Sequence, residues 1–203
     1  MKKILVIYYS QTGQLQRILD SLLRPLTVGP TFSVEYLELE PAAAYPFPWT
    51  RSEFLEVFPE SVLEKPIGLK PWAAKHPGEY DLVILAFGMN DSAGRPAEEY
   101  QANIRSMMDA VRSARPDTDF ILLATMLGNR DWVALHQELF PQYRDKLAAL
   151  CGPGCALADM TSVWEELLRR KNDWDLTGNG VNHPNDFGHR IYAQVLSALL
   201  IAR

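Results

Sequence analysis

Hydrophobic runs alternate with helical periodicities along most of the chain. The run ILVIYYS at residues 4–10 is almost continuously apolar, which is typical of a central parallel strand buried on both faces. Four further segments have strand character, namely FSVEYLELE, YDLVILAFGMND, DFILLATM and CALADMT. Between and after them, apolar residues recur at helical spacing in residues 15–23, 96–114, 140–150, 162–170 and 186–199. The pattern predicts five strands that alternate with helices.

This alternation predicts an α/β fold for a single domain spanning residues 1–203. Right-handed crossovers between successive strands place helices on both faces of the sheet. We therefore expect a three-layer, doubly wound, parallel five-stranded sheet with strand order 2-1-3-4-5. Such sheets bind ligands at the carboxyl ends of their strands, where the strand order reverses. The loops SQTGQ and GMND and the last long loop are therefore where we expect chemistry.

Residues 41–77 interrupt the alternation, because seven of the fourteen prolines fall there. Proline at this density excludes a long regular element. The aromatic residues between the prolines are too apolar for a solvated linker. We expect an irregular excursion packed on the body of the domain, with a short helix at residues 52–58.

The composition narrows the range of partners. The 203 residues are 47% hydrophobic, and 20 Lys+Arg against 25 Asp+Glu give a net charge of −5 without a basic cluster. This balance argues against nucleic acid and anionic membranes as partners, and no apolar run reaches membrane-spanning length. We expect a soluble, cytoplasmic protein. Cys151 and Cys155 flank a Gly-Pro-Gly turn without redox or metal spacing, so we expect two thiols rather than a disulfide, and no metal.

Two short blocks late in the chain carry the most specific chemistry. FGMND contains Gly88 and Asn90 at the end of the third strand, and NHPND contains His183 in the last loop. On these blocks, residues from about 78 to 203 resemble the SGNH (GDSL-type) hydrolases, a family of esterases and lipases. The resemblance implies that the Asn90 amide donates a hydrogen bond to a tetrahedral oxyanion and that His183 is the general base. The structural alternative is that Asn90 and Asp91 only cap a helix.

The chain departs from this family in two places. The family's last block is usually Asp-x-x-His, and the residue three positions before His183 is Gly180. The carboxylate that would orient the imidazole is therefore missing, which implies a Ser–His dyad of reduced efficiency with a backbone carbonyl holding the ring. The family's second-block glycine, a further oxyanion donor, has no match either.

The beginning of the chain has a different character. The loop YYSQTGQ places small hydroxyl and glycine residues between a strand and a helix. On this loop and on PFPWT and FLEVFPESVL, residues 1 to about 70 resemble flavodoxin-like proteins, closest to those linked with dialkylresorcinol condensing enzymes. The resemblance implies a cradle for the FMN phosphate, formed by Ser10, Gln11, Thr12, Gly13 and Gln14. An ordinary capped strand–helix turn accounts for the same residues.

We interpret the chain as a hybrid with a flavodoxin-like part at 1–75 and an SGNH-like part at 76–203. Aligned on the first strand, Ser10 stands where an SGNH hydrolase has its nucleophile. The leading hypothesis is a weak serine ester hydrolase for small acyl esters, with Ser10, Asn90 and His183 as its catalytic residues. The alternatives are a flavodoxin-like module that binds FMN or a phosphate-bearing ligand, and a folded hybrid without activity.

Overall fold

The computed structural model describes residues 2–8, 19–20, 23–24, 26–38, 40, 42, 52 and 80–200. The predicted nucleophile Ser10, the phosphate loop 10–14 and most of the predicted excursion at 41–77 lie outside these residues. Within the described part of the chain, no helix is both long enough and apolar enough to cross a membrane.

The described residues form one parallel sheet of five strands in the order β2-β1-β3-β4-β5, as predicted. The strands are β1 (Lys2–Tyr8), β2 (Phe32–Glu38), β3 (Leu82–Phe87), β4 (Asp119–Ala124) and β5 (Cys155–Asp159). β4 is buried from Phe120 to its end, because helices cover it on both faces. This burial is why the segment is a continuous apolar run in the sequence.

Residues 19–20, 23–24 and 26–27 are helical between β1 and β2. After β3 the described chain forms α1 (Ala97–Ala114), α2 (Leu139–Ala148), α3 (Met160–Leu167), α4 (Asp173–Leu176) and α5 (Asp186–Leu200). β5 ends earlier than predicted, because the Asp159 carboxylate accepts the Ser162 N–H at 2.9 Å and caps α3. The unpredicted α4 is a single turn, closed by a capping box between Asn172 and Asp175.

Separate hydrophobic cores lie on the two faces of the sheet. On one face, α1 and α2 pack against the strands around Tyr100 and Phe120. On the other face, α3 and α5 pack around Trp164 and Leu196. The helical spacing at residues 186–199 places Leu196 and Leu199 among the apolar positions of α5; Leu196 is buried, whereas Leu199 is 42% exposed. Leu199 borders an open cavity of about 820 Å³ at the amino edge of the sheet.

Strands β1 and β3 are joined at their amino ends. β1 pairs with β2 over all seven residues and β3 with β4 over all six, whereas among the described residues one register pair, Ile4 with Leu82, joins β1 to β3. Beside it, the Lys3 N–H donates to Asp81 Oδ2 at 2.7 Å, and the Asp81 N–H donates to the Lys3 carbonyl at 3.2 Å. Toward its carboxyl end β3 is more open, and Phe87 is 49% exposed. The strand order reverses between β1 and β3, and these two strands share fewer register pairs than any other neighbouring strands of the described sheet.

Candidate active site

The turn that follows β3 requires glycine at its first position. Gly88 has φ +118°, which L side chains rarely adopt, and a Cβ there would lie 3.3 Å from the Tyr100 hydroxyl. That hydroxyl donates to the Phe87 carbonyl at 3.2 Å, and burial raises its pKa. The contact with Tyr100 of α1 therefore fixes how the chain leaves the strand.

Asn90 lies in this turn, and its side chain has no hydrogen-bond partner among the described residues. It precedes a short 3-10 helix, Asp91–Ala93, but makes no capping hydrogen bond to it. The buried Ser92 closes the turn instead, since its hydroxyl donates to the Met89 carbonyl at 2.6 Å and its N–H to the Gly88 carbonyl at 3.2 Å. The Asn90 amide therefore does not cap this short helix, contrary to the structural alternative. Asn90 is exposed and borders a cavity.

Asp91 fixes the other end of the turn. Its carboxylate accepts a hydrogen bond from Arg95 Nε at 2.9 Å, and its carbonyl accepts one from the Tyr143 hydroxyl, also at 2.9 Å. The Tyr143 ring stacks on Tyr100 with the ring centroids 4.3 Å apart, and burial raises the pKa of Tyr143 to about 12. Two tyrosines, from α1 and α2, therefore hold the turn and leave the Asn90 amide available for a ligand.

His183 lies in a loop that one asparagine organises. Oδ1 of Asn179 accepts three backbone N–H groups, each at 3.0 Å, and one of them belongs to His183. Gly180, which stands at the position of the expected aspartate, has φ +72°. A Cβ at this position would collide with the indole ring of Trp174. A residue with a side chain at this position would therefore have to adopt a strained backbone conformation and displace the Trp174 ring, which is 68% exposed.

Asn129, which the sequence analysis did not single out, connects this loop to the sheet. It follows β4 by five residues and is 3% exposed. Its Nδ2 donates to the Gly180 carbonyl at 2.7 Å, and its N–H donates to the Val181 carbonyl at 2.6 Å. Further along the same segment, the His136 N–H donates to the Ser92 carbonyl at 2.8 Å. The segment after β4 therefore links the loop of Asn90 to the loop of His183.

No described carboxylate forms an ion pair or hydrogen bond with the imidazole of His183. Asp173 pairs with an arginine at 3.3 Å, and Asp175 completes the capping box of α4. Asp186 lies in the first turn of α5, near His189. Burial lowers the pKa of His189, the negative charge of Asp186 opposes this, and a positive charge on His183 adds to it. Asp186 and the two imidazoles are therefore electrostatic neighbours at the start of α5.

A cavity of about 370 Å³ opens beside Asn90, between the carboxyl ends of β3 and β4 and the helix α5. Its apolar lining is Ala86, Phe87, Met89 and Leu123. Thr125 and Tyr192 add hydroxyl groups, and the Tyr192 oxygen accepts the Met126 N–H at 2.9 Å. The larger cavity lies at the amino ends of the strands, which is the edge of the sheet opposite to Asn90. We assign the candidate site to the smaller cavity, because doubly wound sheets place their sites at the carboxyl edge.

The other candidate groups that the structure describes form no second centre. Cys151 and Cys155 are free thiols with their Sγ atoms 4.0 Å apart. Within the described part of the chain, no group of three or more His, Cys, Asp or Glu side chains is placed to hold a metal ion.

Several solved structures are similar to this chain over nearly its whole length. Axe2, an acetylxylan esterase from Geobacillus stearothermophilus, has 16% identity and a TM-score of 0.61, covering 100% of this chain and 95% of that one. A carbohydrate esterase family 3 protein from Talaromyces cellulolyticus has 15% identity and a TM-score of 0.55, covering 98% and 96%. LAE5, an α/β hydrolase enzyme from the metagenome of Lake Arreo, Spain, has 16% identity and a TM-score of 0.60, covering 97% and 94%. These likenesses show the fold.

The sequence comparisons are more specific. No curated protein sequence matches the chain. The model of the GDSL-like lipase/acylhydrolase family matches residues 47–191, well over half of the chain. The match includes Asn90, His183 and the strands β3 to β5, and it begins earlier than the resemblance noted from residue 78. This chain therefore belongs to the GDSL-like lipase/acylhydrolase family.

Proposed function

We propose that the protein is a weak ester hydrolase acting on small acyl esters, with Ser10 as nucleophile, His183 as general base and Asn90 as oxyanion donor. The Ser10 hydroxyl attacks the ester carbonyl while the imidazole of His183 takes its proton. The Asn90 amide donates to the carbonyl oxygen as that oxygen becomes negatively charged. The alcohol leaves with the proton from the imidazole, and water releases the acid from the acyl-serine with the help of the same groups.

The observation that carries this proposal is the Asn90 side chain. It borders a cavity at the carboxyl edge of the sheet and has no hydrogen-bond partner among the described residues. The tyrosines hold the backbone carbonyls of the residues on either side of Asn90, so the turn that carries this amide is formed before a substrate binds. A donor carried on a formed turn can reach an oxyanion without rearrangement of the backbone.

The topology supports Ser10 as the nucleophile. β1 runs parallel to β3 and ends at Tyr8, two residues before Ser10 in the sequence. Both strands therefore deliver their following residues toward the same edge of the sheet. The description of the activity as weak follows from His183, whose imidazole has no carboxylate partner among the described residues.

We also propose that the chain is a hybrid, and the pairing of the strands supports this. β1 and β2 form a complete seven-residue ladder, whereas one described register pair joins β1 to β3. The family match begins at residue 47, after both of these strands, and therefore takes in residues 47–75 of the part expected to be flavodoxin-like. A flavin bound at Ser10–Gln14 is the competing function of the first part. Yellow colour and flavin fluorescence in the purified protein, lost on Gly13→Asp, would favour it over ester hydrolysis. We also propose that the protein is located in the cytoplasm.

Hydrolysis of p-nitrophenyl acetate tests the proposed function. We expect Ser10→Ala and His183→Ala to abolish the enzymatic rate and Asn90→Ala to lower kcat by about 100-fold, the usual effect of losing one oxyanion donor. Ser113→Ala and Asn103→Ala are matched controls on the exposed side of α1 and should keep the wild-type rate. A rate equal to that of buffer, or one that Ser10→Ala leaves unchanged, contradicts the proposal.

A further inference from the structure

Cys151 and Cys155 carry two nucleophilic side chains that the proposed reaction does not use. Their Sγ atoms lie 4.0 Å apart, and the Cys155 thiol donates a hydrogen bond to the Cys151 sulfur. The Cys151 thiol donates in turn to the Leu147 carbonyl at 3.4 Å. A disulfide bond would require the two sulfur atoms to approach each other by about 2 Å, a distance that side-chain rotation can cover.

Hydrogen bonds fix the backbone at both ends of the short loop between the two thiols. Gly152 and Cys155 form an antiparallel bridge, in which the Gly152 N–H donates to the Cys155 carbonyl at 3.0 Å and the Cys155 N–H donates to the Gly152 carbonyl at 2.9 Å. The Cys151 N–H donates at 3.1 Å to the carbonyl of Ala148, the last residue of α2. The fold therefore holds the two sulfur atoms next to each other.

The surroundings of the pair make each thiol a slow nucleophile. Burial raises the pKa of both thiols, that of Cys151 to about 12. For Cys155, a hydrogen bond that Cys151 can donate to its thiolate and the positive charge of Arg112 oppose this effect. The Arg112 guanidinium lies 5.0 Å from the centroid of the Phe120 ring, and Phe120 is the register partner of Cys155 on β4. Because the thiolate is the attacking species, we expect exchange with a disulfide to be slow.

A small reagent has access to the pair from the amino edge of the sheet. The open cavity of about 820 Å³ is lined in part by Gly152, Gly154 and Cys155. Cys151 is partly exposed, whereas Cys155 is 9% exposed. A small disulfide therefore meets Cys151 first, and the neighbouring Cys155 is placed to complete the exchange.

We propose that Cys151 and Cys155 are a redox modification site, which a low-molecular-weight disulfide such as glutathione disulfide converts into an intramolecular disulfide. The Cys151 thiolate attacks one glutathione sulfur, forms a mixed disulfide and releases the first glutathione thiolate. The Cys155 thiolate then attacks the Cys151 sulfur and releases the second glutathione thiolate. The two glutathione thiolates take up the protons that the protein thiols lose, so one disulfide is reduced for each one formed. The product links the chain just after α2 to the first residue of β5.

Equilibration of the protein with mixtures of reduced and oxidised glutathione tests this site. Intact mass after alkylation should show that the oxidised protein has lost two hydrogen atoms and carries no glutathione. The equilibrium constant for disulfide formation should be about tenfold larger in the folded protein than in the protein unfolded in urea, because only the folded chain holds the two thiols together. This factor is modest for a disulfide, because the loop that it closes is short.

Cys151→Ser and Cys155→Ser are the matched controls, since each leaves one thiol. Each variant should bind at most one glutathione and should never lose two hydrogen atoms. If a variant does not fold, the mass of the wild-type protein and its comparison between the folded and unfolded states still decide. Two thiols that persist in excess glutathione disulfide, a glutathione adduct as the final product, or an equilibrium constant no larger in the folded protein would overturn the proposal.

Discussion

The side-chain amide of Asn129 donates a hydrogen bond to the carbonyl of Gly180 at 2.7 Å. This bond links the segment after β4 to the loop that carries His183, across 51 positions of sequence. Gly180 is the position at which the SGNH resemblance leads one to expect the orienting aspartate. In this chain the Asn129 amide holds the backbone of the loop that carries His183. The resemblance leads one to expect instead a carboxylate that contacts the imidazole itself.

Asn129→Ala should therefore impair both stability and activity. The substitution removes the donor to a buried carbonyl, and we expect it to lower the free energy of unfolding by about 1–3 kcal/mol. With the loop of His183 released from the sheet, kcat/KM should fall by about tenfold or more. Urea unfolding and p-nitrophenyl acetate hydrolysis measure the two effects, with the exposed Asn103→Ala as control. Full activity in a destabilised Asn129→Ala variant would show that the hydrogen bond from Asn129 to the Gly180 carbonyl does not position His183.

Gly180→Asp, which restores the expected Asp-x-x-His spacing, should not improve the enzyme. The new Cβ would collide with the Trp174 ring, and the backbone has φ +72°. We expect a loss of about 1–3 kcal/mol of stability from the strained backbone together with the collision. Thermal unfolding should show that Trp174→Ala recovers part of this loss in the double variant. Gly29→Asp, at an open position, is the control, and a Gly180→Asp variant with increased activity and unchanged stability would refute the steric explanation.

The stability of the fold should decrease as the pH falls below about 6.5, in part because of His189. Burial lowers the pKa of His189 in the folded state from the ordinary value of 6.5, so the unfolded chain binds a proton more readily in this range. Acid therefore favours unfolding, and the contribution vanishes once the pH exceeds the unfolded pKa. His189→Gln should show a smaller difference between the unfolding free energies at pH 5.5 and pH 7.5. An equal difference in both proteins would assign the pH dependence to other groups.

Asp81 should hold the boundary between β1 and β3 together. Its carboxylate accepts the Lys3 N–H at 2.7 Å and forms an ion pair with Arg115, which follows α1. Asp81→Ala should increase hydrogen exchange of the β1 amides by about tenfold, because the loss of about one hydrogen bond lowers the free energy of local opening. Exchange in β4, which is paired on both sides, should change less. Asp117→Ala, an exposed aspartate nearby in sequence, should leave both strands unchanged.

The sequence pattern predicted those parts of the fold that depend on local periodicity. β4 is a continuous apolar run because it is buried on both faces, and α1 begins after Pro96 because proline suits the start of a helix. The four-residue α4 was missed because it is too short to show a period. The end of β5 was misplaced because the capping role of Asp159 outweighed the strand character of the residues after it.

The candidate site was predictable only as far as its residues lie in short blocks. Asn90 and His183 were found because their neighbours in FGMND and NHPND resemble family motifs. Asn129 was missed because its partners are far away in sequence, and an asparagine after a strand ordinarily indicates no more than a turn. The helical pattern at residues 186–199 includes Tyr192 without marking it as a residue of the site. Its apolar ring and helical spacing do not show that its hydroxyl borders a cavity.

Covalent labelling with a fluorophosphonate tests the central claim most directly, because it reports an activated serine without depending on the choice of ester. Peptide mass spectrometry of the labelled protein should find one modification, on Ser10. The label should disappear in Ser10→Ala and form much more slowly in His183→Ala, while Ser113→Ala should be labelled like the wild type. An unlabelled protein, or a label on another serine such as Ser92, would contradict the assignment of Ser10, Asn90 and His183 to one catalytic site.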